Sequence, residues 1–168
     1  MGFRVRLAYP DEVDQLPPVE RSAAELFRGS AQDHVADGEV SPAPFYRPLA
    51  EAGLVWVAEA GDGIAGFAAC EAFDDALHIW ELAVARPYQA RGIGRALVED
   101  AVRAARTMGL PAVTLTTFAD IAWNAPLYRK LGFRALDGAE RPQRLRDVLA
   151  REAARGLTGR CAMRRDLA

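Results

Sequence analysis

Phe3, Val5 and Leu7 alternate with Arg4 and Arg6, the period of two that a half-buried strand requires, so a strand is expected over Phe3–Ala8. Tyr9-Pro10-Asp11 breaks it and offers a helix start. Val13 to Phe27 has helical spacing, and Pro17-Pro18 inside it predicts two short helices with a kink. Ala31–Ser41 is polar and glycine-containing, a loop, and Pro42–Ala52 reads as a short helix stopped by Gly53. Leu54–Ala60 and Ile64–Phe73 are apolar runs joined by Gly61-Asp62-Gly63, a strong hairpin signal. Leu77–Ala85 is almost continuously apolar, as a central strand covered on both faces would be.

From Gly92 to Met108 the apolar positions fall at Ile93, Leu97, Ala101, Ala105 and Met108, one face of an amphipathic helix. Arg95, Glu99, Arg103 and Arg106 form its outer face, and Gly109 with Pro111 ends it. Ala112–Phe118 is β-rich. Asn124-Ala125-Pro126 is placed to cap a short helix through Leu131, with Gly132 just beyond its end. Phe133–Leu136 and Gly159–Arg165 are the last expected strands, flanking a helix from about Pro142 to Ala154. Hairpins followed by β-α-β-α-β imply a mixed three-layer α/β sheet, and without a repeat or linker, residues 1–168 read as one domain.

Composition narrows the chemistry. A chain of 168 residues can bury about two-thirds of its unfolded surface without metal or disulfide support. Its 51% hydrophobic and 26% charged residues exclude collagen-like and disordered classes. Cys70 and Cys161 have no CxxC spacing and read as free thiols in a reducing, cytoplasmic compartment. With only His34 and His78, no metal site is expected, and no apolar run is long enough to span a bilayer. Met1–Arg6 has no apolar core of a signal peptide. The 33 Ala, and Arg as 20 of 21 basic residues, reflect a bacterial-like, GC-rich composition.

The net charge of −2 hides a split. Residues 1–85 carry 15 acidic residues against 5 Arg, and residues 86–168 carry 8 against 16 basic ones. Either the two faces are simply solvated, or the basic half meets an anion and the acidic half a cation. Nucleic acid is not the expected anion, because no basic stripe is interleaved with aromatics and the pI is near 5.7.

The informative stretch runs Glu81-Leu-Ala-Val-Ala-Arg-Pro-Tyr-Gln89-Ala-Arg-Gly92-Ile-Gly94-Arg-Ala-Leu97. A strand leads into glycines that open a long helix, whose unpaired N–H groups and dipole favour a phosphate. Arg91 and Arg95 add cationic donors. A dinucleotide fingerprint would need Gly or Ala where Leu97 stands and an acidic residue near Gly109, and a P-loop would need Gly-Lys-Ser/Thr. Neither is present.

Gln89-x-x-Gly92-x-Gly94 after an apolar strand, with Asn124-Ala-Pro-Leu-Tyr128-Arg-Lys-Leu-Gly132-Phe133 some 30 residues later, resembles the two acetyl-CoA motifs of the GCN5-related N-acetyltransferases (GNAT). The match spans about residues 77–136. It implies a GNAT-type fold, a mixed, mostly antiparallel sheet of about six to seven strands with helices on both faces. Acetyl-CoA is then the co-substrate. The backbone of Leu82, Ala83 and Val84 would pair with the pantetheine arm, and Gln89, Ala90, Arg91, Gly92, Ile93, Gly94 and Arg95 would form the pyrophosphate loop. Asn124 resembles the motif Asn that contacts the cofactor, and Tyr128 the Tyr that faces its sulfur. In this family the strand bearing Glu81 splays from Ala112–Phe118, and the thioester occupies the gap.

A thioester is already activated, so no covalent enzyme intermediate is needed. An alkylamine with a pKa near 10 is mostly protonated at neutral pH, so a general base is useful. Glu81 interrupts an apolar strand, where burial would raise its pKa, and is the first candidate. The alternatives are a Glu81 paired structurally, His78 as base, or no dedicated base. Family members that acetylate ribosomal-protein N-termini carry a Glu in the strand that here reads Thr114-Leu-Thr-Thr-Phe118, a departure that favours a small-molecule amine as acceptor. Rival functions are a catalytically idle acyl-CoA-binding module and acetylation of protein lysines or N-termini. Glu20, Glu25, Glu71, Asp74 and Asp75 could steer a cationic acceptor or be solvated, and a homodimer through the last strand is compatible with the pattern.

Overall fold

The alternation at the start of the chain becomes strand β1 (Arg4–Leu7), paired antiparallel with β2 (Val55–Ala60) from Arg4↔Glu59 to Leu7↔Trp56. The structure, a computed structural model, describes residues 2–167. The polar side of β1 is not left to water. Arg6 forms ion pairs with Glu12 at 2.7 Å and Glu59 at 2.8 Å, while Leu7 is 49% exposed. β3 (Gly63–Phe73) pairs antiparallel with β2 across the expected hairpin, with Gly61 at φ +61 in the turn. That sign of φ at the first turn position suits a tight two-residue connection. β4 (Ala76–Val84) follows, then β5 (Ala112–Phe118), β6 (Arg134–Ala135) and β7 (Arg160–Asp166). These make one seven-stranded mixed sheet in the order β1-β2-β3-β4-β5-β7-β6, with β4 and β5 parallel at Leu77↔Val113 and His78↔Thr114.

The described chain divides into two compact units, residues 2–71 with 79–104, and residues 72–78 with 105–167. In the first, α1 (Leu16–Ala24) and α2 (Ala43–Glu51) bring Leu16, Val19, Tyr46 and Leu49 into one buried cluster with Val55, Val57 and Phe67 of the sheet. Two short helices meet beside Pro17-Pro18, a 3-10 helix at Pro10–Gln15 and then α1, and both prolines lie in the first turn of α1, where no N–H is required. The following residue pair shows how the other face is covered. Phe67 points into the α1–α2 cluster, whereas a Cβ on Gly66 would lie 2.9 Å from the Ala83 carbonyl oxygen and 3.1 Å from Ile93. Ile93 begins α3 (Ile93–Thr107), so neighbouring strand residues, which face opposite ways, meet helices on both faces. A side chain at 66 would hold α3 and β4 away.

In the second unit, β5 and β7 pair antiparallel from Ala112↔Asp166 to Phe118↔Arg160, and β6 pairs with β7 at Arg134↔Arg164 and Ala135↔Met163. β7 is therefore paired with β5 along its length and with β6 at Met163 and Arg164. α4 (Ala125–Lys130) ends at Gly132, φ +92, as expected. α5 (Gln143–Ala154) contributes Leu145 to a small cluster with Leu136 and Ala162. Among the described residues no helix is long and apolar enough to cross a membrane.

Candidate active site

In the first unit, Glu81 lies on β4, half-buried, and its carboxyl sits beside that of Glu20 from α1, close enough to act on its titration. The helical stripe Leu16, Val19, Glu20, Ala23 turns Glu20 inward, since residues three and four apart share a face. The Tyr46 hydroxyl of α2 donates to Glu20 at 2.8 Å, and the Ser41 N–H donates to the same oxygen at 3.1 Å. Burial pushes the Glu20 carboxyl above the ordinary range, against the pull of the Tyr46 hydroxyl, the Glu81 carboxyl, the Ser41 N–H and the charge of Arg21. The Tyr46 phenol is pushed up by its own burial and by the negative charge of Glu81 and Glu20, so it stays protonated and donating. Beside this pair, the Trp80 indole donates to Glu71 at 2.7 Å, and Phe45 packs edge-on against both Trp80 and Tyr46.

The end of β4 exposes backbone in a defined direction. Ala85 N–H bonds the Ala65 carbonyl at 2.8 Å, so the adjacent Val84 N–H, alternating along an extended chain, points to the opposite edge. The Val84 carbonyl accepts from the Gln89 side-chain amide at 2.9 Å, and Gln89 in turn accepts from Arg86 at 3.0 Å. Gln89 thus works through its side chain as a brace that folds the loop back on its own strand. Leu82 is half-buried and Ala83 buried.

Beyond Gln89 the loop turns with Ala90 at φ +62 and Gly92 at φ +87, and α3 starts at Ile93. The Ile93 side chain is buried, while Arg91 and Arg95 are exposed and the Arg91 guanidinium lies 5.5 Å over the Tyr88 ring. A Cβ at Gly92 would meet no atom within 4 Å, and one at Gly94 only Val84 at 3.9 Å. Bare backbone in front of a fifteen-residue helix, with Arg91 and Arg95 beside it in the chain, suits a phosphate.

In the second unit, His78 is 1% exposed and its Nδ1 shares a 2.9 Å hydrogen bond with the Thr114 hydroxyl. Burial first, and the Arg144 charge second, push its pKa down to about 3. Arg144 bonds Asp75 at 2.9 Å, reaches Thr114 at 3.3 Å and lies 4.3 Å over the Phe73 ring. This neutral imidazole packed inside the sheet is suited to structural support.

Asn124 occupies the position before α4, but its side chain does not cap that helix. Its oxygen instead accepts from the Thr117 hydroxyl at 2.6 Å, which ties the helix start to β5. The other β5 hydroxyls are also engaged, Thr114 as above and Thr116 with Glu152 at 3.0 Å. Tyr128, on α4, is half-buried and packs edge-on against Phe133 at 5.8 Å. Of the acidic residues weighed as steering groups, Glu25 pairs with Arg28, Asp75 with Arg144, and Asp74 is exposed, leaving Glu20 and Glu71 beside β4. Cys70 is buried and its thiol pushed up by burial, and Cys161 is half-buried. Among the described residues no group of three or more His, Cys, Asp or Glu could hold a metal ion.

A strand running into a bare glycine turn and a helix start is suited to a phosphate-bearing co-substrate. The sequence matches the Acetyltransferase (GNAT) family over residues 21–133, two-thirds of its length, and the chain belongs to that family. It is an N-acetyltransferase with acetyl-CoA as co-substrate. Similar solved structures include the PaiA N-acetyltransferase of Thermoplasma acidophilum in complex with coenzyme A, at TM-score 0.71 and 14% identity, covering 99% of this chain and 100% of that one. N-acetylglutamate synthase of Neisseria gonorrhoeae, complexed with coenzyme A and N-acetyl-glutamate, matches at 0.75 and 18%, covering 100% of this chain and 36% of that one. The ribosomal-protein-S18-alanine N-acetyltransferase of Escherichia coli matches at 0.71 and 18%, covering 99% and 95%. At these identities the likeness is one of fold.

Proposed function

We propose that this N-acetyltransferase acts on the primary amine of a small molecule, with Glu81 as general base. The observation that supports the reading is the pair of neighbouring carboxyls, Glu20 and Glu81, the second on the strand that runs directly into the glycine turn before α3. An acceptor arrives as an ammonium ion, which carboxylates attract and which must lose a proton before it can attack. The small-molecule reading is supported by the β5 sequence Thr114-Leu-Thr-Thr-Phe118, which places no Glu on that strand.

The thioester supplies an activated acetyl group and a tolerable leaving thiol. Glu81 takes one proton from the ammonium, and the Val84 N–H polarises the acetyl carbonyl as the N–C bond forms and the C–S bond breaks. Tyr128 gives the departing sulfur a proton and regains one from nitrogen. Glu81 then releases its proton to water. Main-chain N–H groups of Arg91–Arg95 with the Arg91 and Arg95 guanidiniums hold the pyrophosphate, Leu82–Val84 align the pantetheine arm, and Asn124 keeps α4 and Tyr128 in place.

Thiol release from acetyl-CoA, measured with purified protein against small primary amines and against peptides with free N-termini, tests the acceptor class. Turnover with small amines exceeding that with every peptide is expected. Turnover confined to peptides would overturn the reading.

A further inference from the structure

Glu20 is not part of the GNAT motif pattern, yet the fold builds a specific seat for it. It reaches Glu81 from α1, 61 positions earlier in the chain, and is held by two donors from other segments, the Tyr46 hydroxyl at 2.8 Å and the Ser41 N–H at 3.1 Å. Tyr46 is itself fully buried, edge-on to Phe67 at 5.2 Å, so its hydroxyl is fixed by the core and not by solvent. A hydrogen bond between two carboxyls exists only when one of them carries a proton. Two such groups titrate as a unit: the first proton leaves readily, and the second is retained because its loss places two negative charges side by side.

We propose that Glu20 is a positioning residue for Glu81, forming with it a carboxyl pair that shares one proton and so makes the general base stronger than a lone glutamate. The inference rests on the reading of Glu81 as the base. The fully ionised pair accepts the proton of the incoming ammonium and returns to its hydrogen-bonded, singly protonated form. No other reactant is needed, since the proton goes from nitrogen to the pair and later to water.

The groups facing the pair set the direction in which it can be tuned. Tyr46 from α2 and the Ser41 N–H donate to Glu20, Arg21 on α1 adds a positive charge, and burial opposes ionisation. Glu81 and Glu20 both raise the Tyr46 phenol, so that hydroxyl does not ionise in the working range and remains a donor. Removing Tyr46's donor favours retention of the shared proton. Removing Glu20's charge favours its loss. The two changes therefore move the pair in opposite directions, which a merely structural role would not produce.

The test has two readouts. In the acetyl-CoA-free protein labelled with 13C at the glutamate carboxyls, the Glu20 and Glu81 signals should titrate together in two steps, the upper one well above the ordinary glutamate value of about 4.3. In the pH profile of kcat/KM, Glu20→Gln should move the acid limb down by about one pH unit and lower the plateau, while Tyr46→Phe should move it up. Carboxyls that titrate independently near the ordinary value in the unaltered protein would overturn the proposal without any variant. A Glu20→Gln limb that coincides with wild type would do the same. The base reading fails separately: if Glu81→Gln keeps the wild-type profile, Glu81 is not the base, whereas loss of the limb in Glu81→Gln with no shift in Glu20→Gln removes only the pair.

Discussion

The Nδ1 atom of His78 lies 2.9 Å from the Thr114 hydroxyl, across the parallel pairing of β4 and β5, where 1% of the residue is exposed. Its pKa, pushed down to about 3 by burial and the Arg144 charge, lies well below the value of about 6.5 expected when the chain is unfolded. The unfolded chain therefore binds a proton that the folded one refuses. This contribution to stability is complete above pH 6.5 and is lost progressively as pH falls toward 3, by about 2 kcal/mol at pH 5. Urea unfolding across this range should show the loss, and His78→Gln should remove that part of the pH dependence.

The proposed pyrophosphate loop contains two left-handed residues of opposite suitability. Ala90 at φ +62 carries a Cβ in a conformation that costs an L-residue about 1–2 kcal/mol, while Gly92 at φ +87 carries none. Ala90→Gly should stabilise the protein by about 0.5–1 kcal/mol, the relief exceeding the added entropy of the unfolded chain. Gly92→Ala should destabilise it by about 1 kcal/mol and weaken coenzyme A binding about tenfold, because the new methyl occupies the open space in front of α3. Chemical denaturation and calorimetric titration with coenzyme A check the pair.

Much of this loop was legible in the sequence, because glycines before an amphipathic helix are a local signal. The hairpin at Gly61-Asp62-Gly63 and the α3 stripe were legible for the same reason. Features that depend on distant chain segments were not. Asn124 looked like a cap, but the Thr117 hydroxyl from β5 competes successfully for its side chain. The partnership of Glu20 with Glu81 had one local signal, a carboxylate set in the apolar stripe Leu16, Val19, Ala23, but its partner is visible only in the folded chain.

The tie between Asn124 and Thr117 predicts a separation of binding from chemistry. Thr117→Val removes the 2.6 Å donor and should cost about 1 kcal/mol of stability, leaving α4 less firmly placed. Its kcat should fall about tenfold with coenzyme A affinity nearly unchanged, because the Thr117 hydroxyl bonds Asn124 and not the proposed pyrophosphate loop. Tyr128→Phe should lower kcat about 10²-fold while retaining the Phe133 contact and stability. Stopped-assay kinetics combined with thermal unfolding distinguish the two variants.

The central claim is that Glu81 accepts the acceptor's proton, and the pH–rate profile of Glu81→Gln tests it most directly. At neutral pH the variant should lose about 10²-fold in kcat/KM relative to wild type. The deficit should shrink as pH rises toward the acceptor's own pKa of about 10, where the amine arrives already neutral. A Glu81→Gln enzyme whose rate follows the wild-type profile at every pH would contradict the claim.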